Sequence, residues 1–191
     1  TAKLGLILVN INPAYRSGEL EYALNQVGCK ALVTAKSFKS SNYFEMLYGL
    51  VPELASCSPN ALTSKKLPSL KLVISIPEEQ TDGMLNFSDL ESIGVSFKLE
   101  ELQAIEQTLD PDDSINIQFT SGTTGLPKGA TLSHFNIVNN AYFVGKAMKF
   151  SHADRLCIPV PLYHCFGMVM GVLTCATHGS TMVFPSEGFE P

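Results

Sequence analysis

Along most of this chain, short apolar runs of strand length alternate with segments whose apolar residues recur at helical spacing. Residues 4–9, 31–33 and 70–76 read as strands. Leu20, Ala23, Leu24 and Val27 mark a helix over residues 17–27, and Gly28 stands where a left-handed residue ends such a helix. Phe44, Leu47 and Tyr48 share the face of a second helix over residues 38–51, which stops before Pro52. Residues 56–69 are rich in Ser, Pro, Asn and Lys and read as a surface loop. Residues 81–94 and 96–109 read as loop and short helical pieces. Farther on, Ile115, Ile117 and Phe119 alternate with Asn116, Gln118 and Thr120, the period of a half-buried strand. Residues 130–132, 156–160 and 180–184 are further strands. Ser133 is a good N-cap for a helix reaching Phe150, and residues 166–177 form an apolar helix closed near Gly179. Strands that alternate with helices predict an α/β fold, a mainly parallel sheet flanked by helices.

Charge and cysteine content narrow the class. Lys+Arg number 13 against Asp+Glu 18, a net charge of −5, which argues against a nucleic-acid partner. The longest uncharged apolar stretch, residues 166–176, falls short of the roughly 20 residues that a membrane span needs. No targeting segment is visible at Thr1. The five cysteines, Cys29, Cys57, Cys157, Cys165 and Cys175, are odd in number and lack C-x-x-C spacing, so reduced thiols are expected in place of a disulfide scaffold or zinc site. Cys165, beside His164, reads as a small core residue and not as a nucleophile. Asp110, Asp112 and Asp113 read as a solvated capping turn, because no Gly or Glu completes a calcium loop.

The segment from Thr120 to Gly129 carries the chemistry. Gly122 and Gly125 allow positive φ and remove Cβ, so backbone N–H groups can approach a ligand. Thr120, Ser121, Thr123 and Thr124 supply hydroxyls, and Lys128 supplies a mobile positive charge. Pro127 restricts Leu126 and stiffens the exit. Convergent N–H groups, hydroxyls and one ammonium suit phosphate oxygens. The spacing differs from that of a Walker A loop: two residues separate Gly122 from Gly125, and two more precede Lys128.

Thr-Ser-Gly-Thr-Thr-Gly-x-Pro-Lys-Gly resembles the phosphate-binding motif of the adenylate-forming (AMP-binding) superfamily, which includes acyl-CoA synthetases, luciferases and peptide-synthetase adenylation domains. The resemblance implies that Thr120, Ser121, Gly122, Thr123, Thr124, Gly125, Leu126, Pro127 and Lys128 hold ATP phosphates while a carboxylate attacks the α-phosphate. Pro161-Leu162-Tyr163-His164-Cys165-Phe166-Gly167 resembles the next motif of that family, Pro-Leu-aromatic-His-x-x-Gly. That implies a place for His164 near the acyl carboxylate and the adenylate, although a lone histidine can equally be a satisfied core residue. Phe166, Met168, Val169 and Val172 fit either a core or one wall of an acyl tunnel. Residues 10–15, 19–22, 27–33, 115–119 and 130–140 resemble fatty-acyl-CoA synthetases, the last two stretches especially a mitochondrial one.

The resemblance implies a fatty acid–CoA ligase that uses ATP, Mg²⁺ and CoA and works in the mitochondrion, with a medium- or long-chain fatty acid as substrate. It also implies that this chain is part of a large N-terminal domain, with residues 1–191 incomplete at both ends and inactive alone. The family's Tyr-Gly-x-Thr-Glu segment, whose Glu helps hold Mg²⁺, its ribose-binding Thr-Gly-Asp and its C-terminal domain with a catalytic lysine have no counterpart in these residues. Alternatives are an adenylating enzyme with another acceptor, a non-catalytic nucleotide-binding module, or a generic α/β domain that binds no ATP. Acyl chain length and oligomeric state are not legible.

Overall fold

The computed structural model describes residues 1–120 and 125–186. Its strands are β1 (Leu8–Asn10), β2 (Ala31–Thr34), β3 (Ser37–Phe38), β4 (Ser41–Asn42), β5 (Leu72–Ser75), β6 (Leu85–Asn86), β7 (Ser114–Thr120), β8 (Lys128–Ser133), β9 (Arg155–Cys157) and β10 (Thr181–Val183). The α-helices are α1 (Ser17–Gln26), α2 (Tyr43–Leu50), α3 (Asp89–Gly94), α4 (Leu99–Glu106), α5 (His134–Ala147) and α6 (Thr174–His178). The chain divides into two compact units, Pro13–Leu99 and Thr1–Asn12 with Glu100–Pro191. Four strand pairs (β1 with β7, β2 with β5, β5 with β6, β9 with β10) are parallel, as the alternation of elements predicts. Two, β3 with β4 and β7 with β8, are antiparallel.

In the Pro13–Leu99 unit the sheet order is β2-β5-β6. Val73, Ile74 and Ser75 of β5 are all buried, the mark of a strand covered on both faces. Leu20, Ala23 and Leu24 form the buried stripe of α1, as their spacing predicts. Gly28, at φ 59°, ends that helix, with Cys29 N–H donating to the Leu24 carbonyl at 2.9 Å. The second helix starts later than residue 38. Lys39 adopts φ 52° and turns β3 into β4, and only then does Asn42 cap α2 by accepting from Glu45 N–H at 3.2 Å. Residues 56–69 are not wholly surface. Leu62 and Leu67 are buried, and Ser64 Oγ pins that turn by accepting from the N–H groups of Lys66 and Leu67.

In the other unit the order is β1-β7-β8, with β9 and β10 a separate parallel pair. Residues 4–9 are not one strand. Ala2–Leu4 is a 3₁₀ turn closed by Gly5 at φ 66°, and pairing begins at Leu8. Helix α5 opens at Ser133, whose Oγ accepts from Asn136 N–H at 3.2 Å while Asn136 Oδ1 accepts from Ser133 N–H at 3.1 Å. The acidic turn before β7 is a cap. Asp110 N–H donates to Asp113 Oδ2 at 2.9 Å, Asp112 N–H donates to Asp110 Oδ1 at 2.8 Å, and Phe135 N–H of α5 donates to the Pro111 carbonyl. Ile115, Ile137, Ala141 and Val169 form the core, with Leu132, Met168 and Leu173 against it. Residues 166–177 are helical, but the first part, Phe166–Leu173, is a π-helix that passes into α6 and ends at Gly179, φ 68°.

Candidate active site

Strand β7 leads into the Ser/Thr/Gly-rich loop, and its polar residues are the starting point. Alternation predicts Asn116 and Gln118 on a solvent face; they are instead 1% and 5% exposed. Such burial is tolerable only if the amides are hydrogen-bonded. Asn116 Nδ2 donates to the Leu8 carbonyl of β1 at 2.8 Å, and Gln118 Nε2 donates to Asn116 Oδ1 at 2.9 Å. Gln118 Nε2 also lies 3.1 Å from Met168 Sδ, and Asn10 Nδ2 lies 3.0 Å from the same sulfur and 3.3 Å from the Leu162 carbonyl. Two amides, Asn10 of β1 and Gln118 of β7, therefore grip the segment that contains His164, and Asn116 braces Gln118.

Beyond Gln118, the β7–β8 hairpin is paired as far as Thr120 opposite Lys128. The Thr120 hydroxyl donates to the Lys128 carbonyl at 3.5 Å. Gly129 faces Phe119 in the ladder, where an added Cβ would stand 3.0 Å from Ile117 Cγ2. The hairpin closes tightly because that Cβ is missing. Gly125 has φ 101°, a conformation that side-chain-bearing residues rarely adopt, and an added Cβ there would meet open space. Gly125, Leu126 and Lys128 are exposed, and Pro127 is half-buried. Among the described residues Lys128 has no ion-pair partner, so its charge is available to a ligand. Ser121, Gly122, Thr123 and Thr124 lie outside the described residues.

The His164 segment turns tightly into the π-helix. His164 N–H donates to the Pro161 carbonyl at 3.2 Å, and Met168 N–H donates to the His164 carbonyl at 3.0 Å. A Cβ at Gly167 would clash with the carbonyls of Pro161 and Val160, so glycine is required there by close approach. Phe166 N–H donates to His164 Nδ1 at 3.1 Å. That bond orients the ring and leaves the neutral imidazole's proton on Nε2, a directed donor. His164 is exposed in this chain. Cys165 is exposed too, contrary to its reading as a core residue, with its sulfur 3.8 Å from His164 Nδ1. All five cysteines are free thiols, and burial raises the pKa of Cys29 and Cys175. Val169 is buried, Met168 half-buried and Phe166 exposed, so this helix divides its residues between the core and an outer surface.

The loop end of β7 and the histidine segment are thus joined by one hydrogen-bonded chain, Gln118 to Met168 to His164. Sequence reasoning missed the amides because it assigned alternate residues of β7 to solvent. The opposite end of β7 holds a separate cavity of about 530 Å³, lined by Lys3, Glu106, Leu109, His134, Phe135 and Val138. Lys3 is spent there in an ion pair with Glu106 at 3.2 Å, and none of the described loop residues line the cavity. Among the described residues no group of three or more His, Cys, Asp or Glu could hold a metal ion. No described helix is long and apolar enough to cross a membrane.

Comparison with known proteins bears on this arrangement. The sequence model described as AMP-binding enzyme matches residues 1–190. The mitochondrial medium-chain acyl-CoA ligase ACSF2 of Danio rerio is 50% identical over 192 residues, covering 100% of this chain and 32% of the relative. The human protein of that name is 46% identical over 194 residues, covering 99% and 31%. The putative acyl-CoA synthetase YngI of Bacillus subtilis (strain 168) is 41% identical over 191 residues, covering 100% and 35%. The chain spans about a third of the length of these curated relatives. Among solved structures, the anthranilate CoA ligase AuaEII in complex with anthranoyl-AMP superposes with a TM-score of 0.70 at 24% identity, over 96% of this chain and 31% of that one. A putative long-chain-fatty-acid CoA ligase from Rhodopseudomonas palustris CGA009 gives 0.68 at 20% identity, over 95% and 39%. These superpositions show a shared α/β fold.

Proposed function

Because the chain belongs to the AMP-binding enzyme family, we propose that the full-length protein joins a medium- or long-chain fatty acid to coenzyme A at the expense of ATP. The observation that carries this reading is the hairpin end at Thr120 and Lys128, tied through Gln118 and Met168 to a directed histidine. In the first step a carboxylate oxygen attacks the α-phosphorus of ATP, the bond to the β-phosphate oxygen breaks, and pyrophosphate leaves with its charge. Lys128, the Thr120 hydroxyl and the rest of the 120–128 loop hold the β- and γ-phosphates, where the developing negative charge needs fixed donors. His164 offers its Nε2 proton to an oxygen of the acyl carboxylate and then of the adenylate. In the second step the CoA thiolate attacks the acyl carbon, the carbon–oxygen bond to AMP breaks, and the thiol proton passes to solvent. Adenylation converts a poor leaving group into a good one.

Mg²⁺, the ordinary companion of ATP phosphates, would take its protein ligand from sequence outside this chain. The names of the relatives from zebrafish and human support a mitochondrial location. The 191-residue chain alone is expected to be inactive, since it spans a third of those relatives. The test is to supply the full-length protein with ATP, Mg²⁺, CoA and fatty acids of graded length. Acyl-CoA and AMP in equal amounts support the reading. Adenylation without acyl-CoA would point to another acceptor, and ATP binding without turnover to a non-catalytic module.

A further inference from the structure

Met168 is the acceptor on which two amides from different strands converge. Asn10 Nδ2 of β1 and Gln118 Nε2 of β7 stand 3.0 Å and 3.1 Å from its sulfur. A thioether is a weak acceptor, and a core that needed only apolar packing would have no use for it here. The neighbourhood explains its value. Gln118 is two residues before Thr120, at the mouth of the phosphate-type loop, and Met168 sits one helical turn after His164, donating its N–H to the His164 carbonyl. Asn10 reinforces the same segment from the other side by donating to the Leu162 carbonyl, two residues before His164. Asn116 braces Gln118 from below and is itself fixed to Leu8. Gly167, which tolerates no Cβ against the Pro161 carbonyl, leaves the turn little room to shift.

We propose that the Gln118–Met168 contact, supported by Asn10 and Asn116, is a positioning device that sets the distance between the His164 imidazole and the phosphate-holding loop. The inference rests on the ligase reading and extends it to residues that touch neither ATP nor the acyl group. It makes Met168 and Gln118 responsible for alignment, so their loss should slow the adenylation step while ATP is still bound. A role limited to core stability predicts a different pattern.

The experiment compares carboxylate-dependent exchange of pyrophosphate into ATP, and melting temperature, for the full-length wild type, Met168→Leu, and Met168→Leu with Gln118→Leu. Met168→Leu preserves volume but strips the acceptor from two donors, the buried Gln118 and the half-buried Asn10, so it should lower the melting temperature and cut the exchange kcat about tenfold, within the range seen for residues that couple sites. The KM for ATP should change less than about twofold, because the loop itself is intact. The double variant removes the acceptor and one of its two donors, leaving Asn10 short of the sulfur and Asn116 Oδ1 short of the Gln118 amide, so its melting temperature should recover at most in part while kcat stays low. Recovery of kcat along with melting temperature would overturn the inference, and so would a kcat for Met168→Leu within twofold of wild type. Absence of exchange in the wild-type protein would instead remove the ligase reading, and the inference with it.

Discussion

Strands β5 and β7 are both buried on two faces, yet they are built from opposite materials. β5 presents Val73 and Ile74 to its unit's core, and its one buried polar residue there, Ser75, bonds locally to the Pro77 carbonyl. β7 presents Ile115 to one side and the amides of Asn116 and Gln118 to the other. Apolar burial holds β5 in place without regard to direction, because the hydrophobic effect is non-directional. Amides are costly to bury and fix geometry in return. On the ligase reading proposed above, the difference separates a strand that only has to be stable from one that aims a loop and a histidine at the same point.

Gly83 is the most sensitive position on the β5 side. At φ 69°, with the Leu54 carbonyl against the place of a Cβ, Gly83→Ala should destabilise by about 3 kcal/mol or more, read as the denaturation midpoint. Exchange activity per folded molecule should be unchanged. A matched pair sharpens the comparison next. Val73→Ala and Asn116→Ala should each cost about 2 kcal/mol, the first by lost burial and cavity, the second by leaving the Leu8 carbonyl and the Gln118 amide short of partners. Only Asn116→Ala should also lower the exchange kcat. Equal effects of the two on kcat would break the distinction between the strands.

Smaller effects belong to the surface of the β7 unit. Lys3→Ala removes an ion pair with Glu106 whose lysine side chain is 72% exposed, and should cost about 0.5 kcal/mol or less. Asp154 gives the least. Its carboxylate accepts from Ser151 Oγ and Ser151 N–H at 2.8 Å and 2.7 Å, and these bonds lower its pKa. A lowered folded pKa means the contribution is complete above the unfolded aspartate value near about 3.9 and is lost as pH falls through the lower folded value. Thermal stability attributable to this turn should therefore be flat above about pH 4 and fall only below it, and Asp154→Asn should abolish that acid-side difference.

Much of this was legible from local chemistry. Leu20, Ala23, Leu24 and Gly28 describe α1 and its end, Ser133 announces α5, and Gly125 and Lys128 mark the loop, because each signal is carried by one element's own residues. What escaped depends on distant partners. Asn116 and Gln118 look solvent-facing until β1 and the π-helix supply Leu8 and Met168. Leu62 and Leu67 look like loop residues until Ser64 folds them inward. The β3–β4 hairpin turns on Lys39 at positive φ, where no glycine advertises it. The orientation of His164 rests on one backbone N–H that spacing alone does not reveal.

The central claim is that the end of β7 holds ATP phosphates for attack by a carboxylate. The direct measurement is exchange of labelled pyrophosphate into ATP by the full-length protein, with and without a fatty acid, for wild type and Lys128→Ala. Wild type should exchange only when the acid is present. Lys128→Ala should lose about 100-fold at an unchanged melting temperature, since Lys128 is exposed and fixed donors at developing charge carry effects of that size. Exchange that is independent of the acid, or a Lys128→Ala rate equal to wild type, would contradict it.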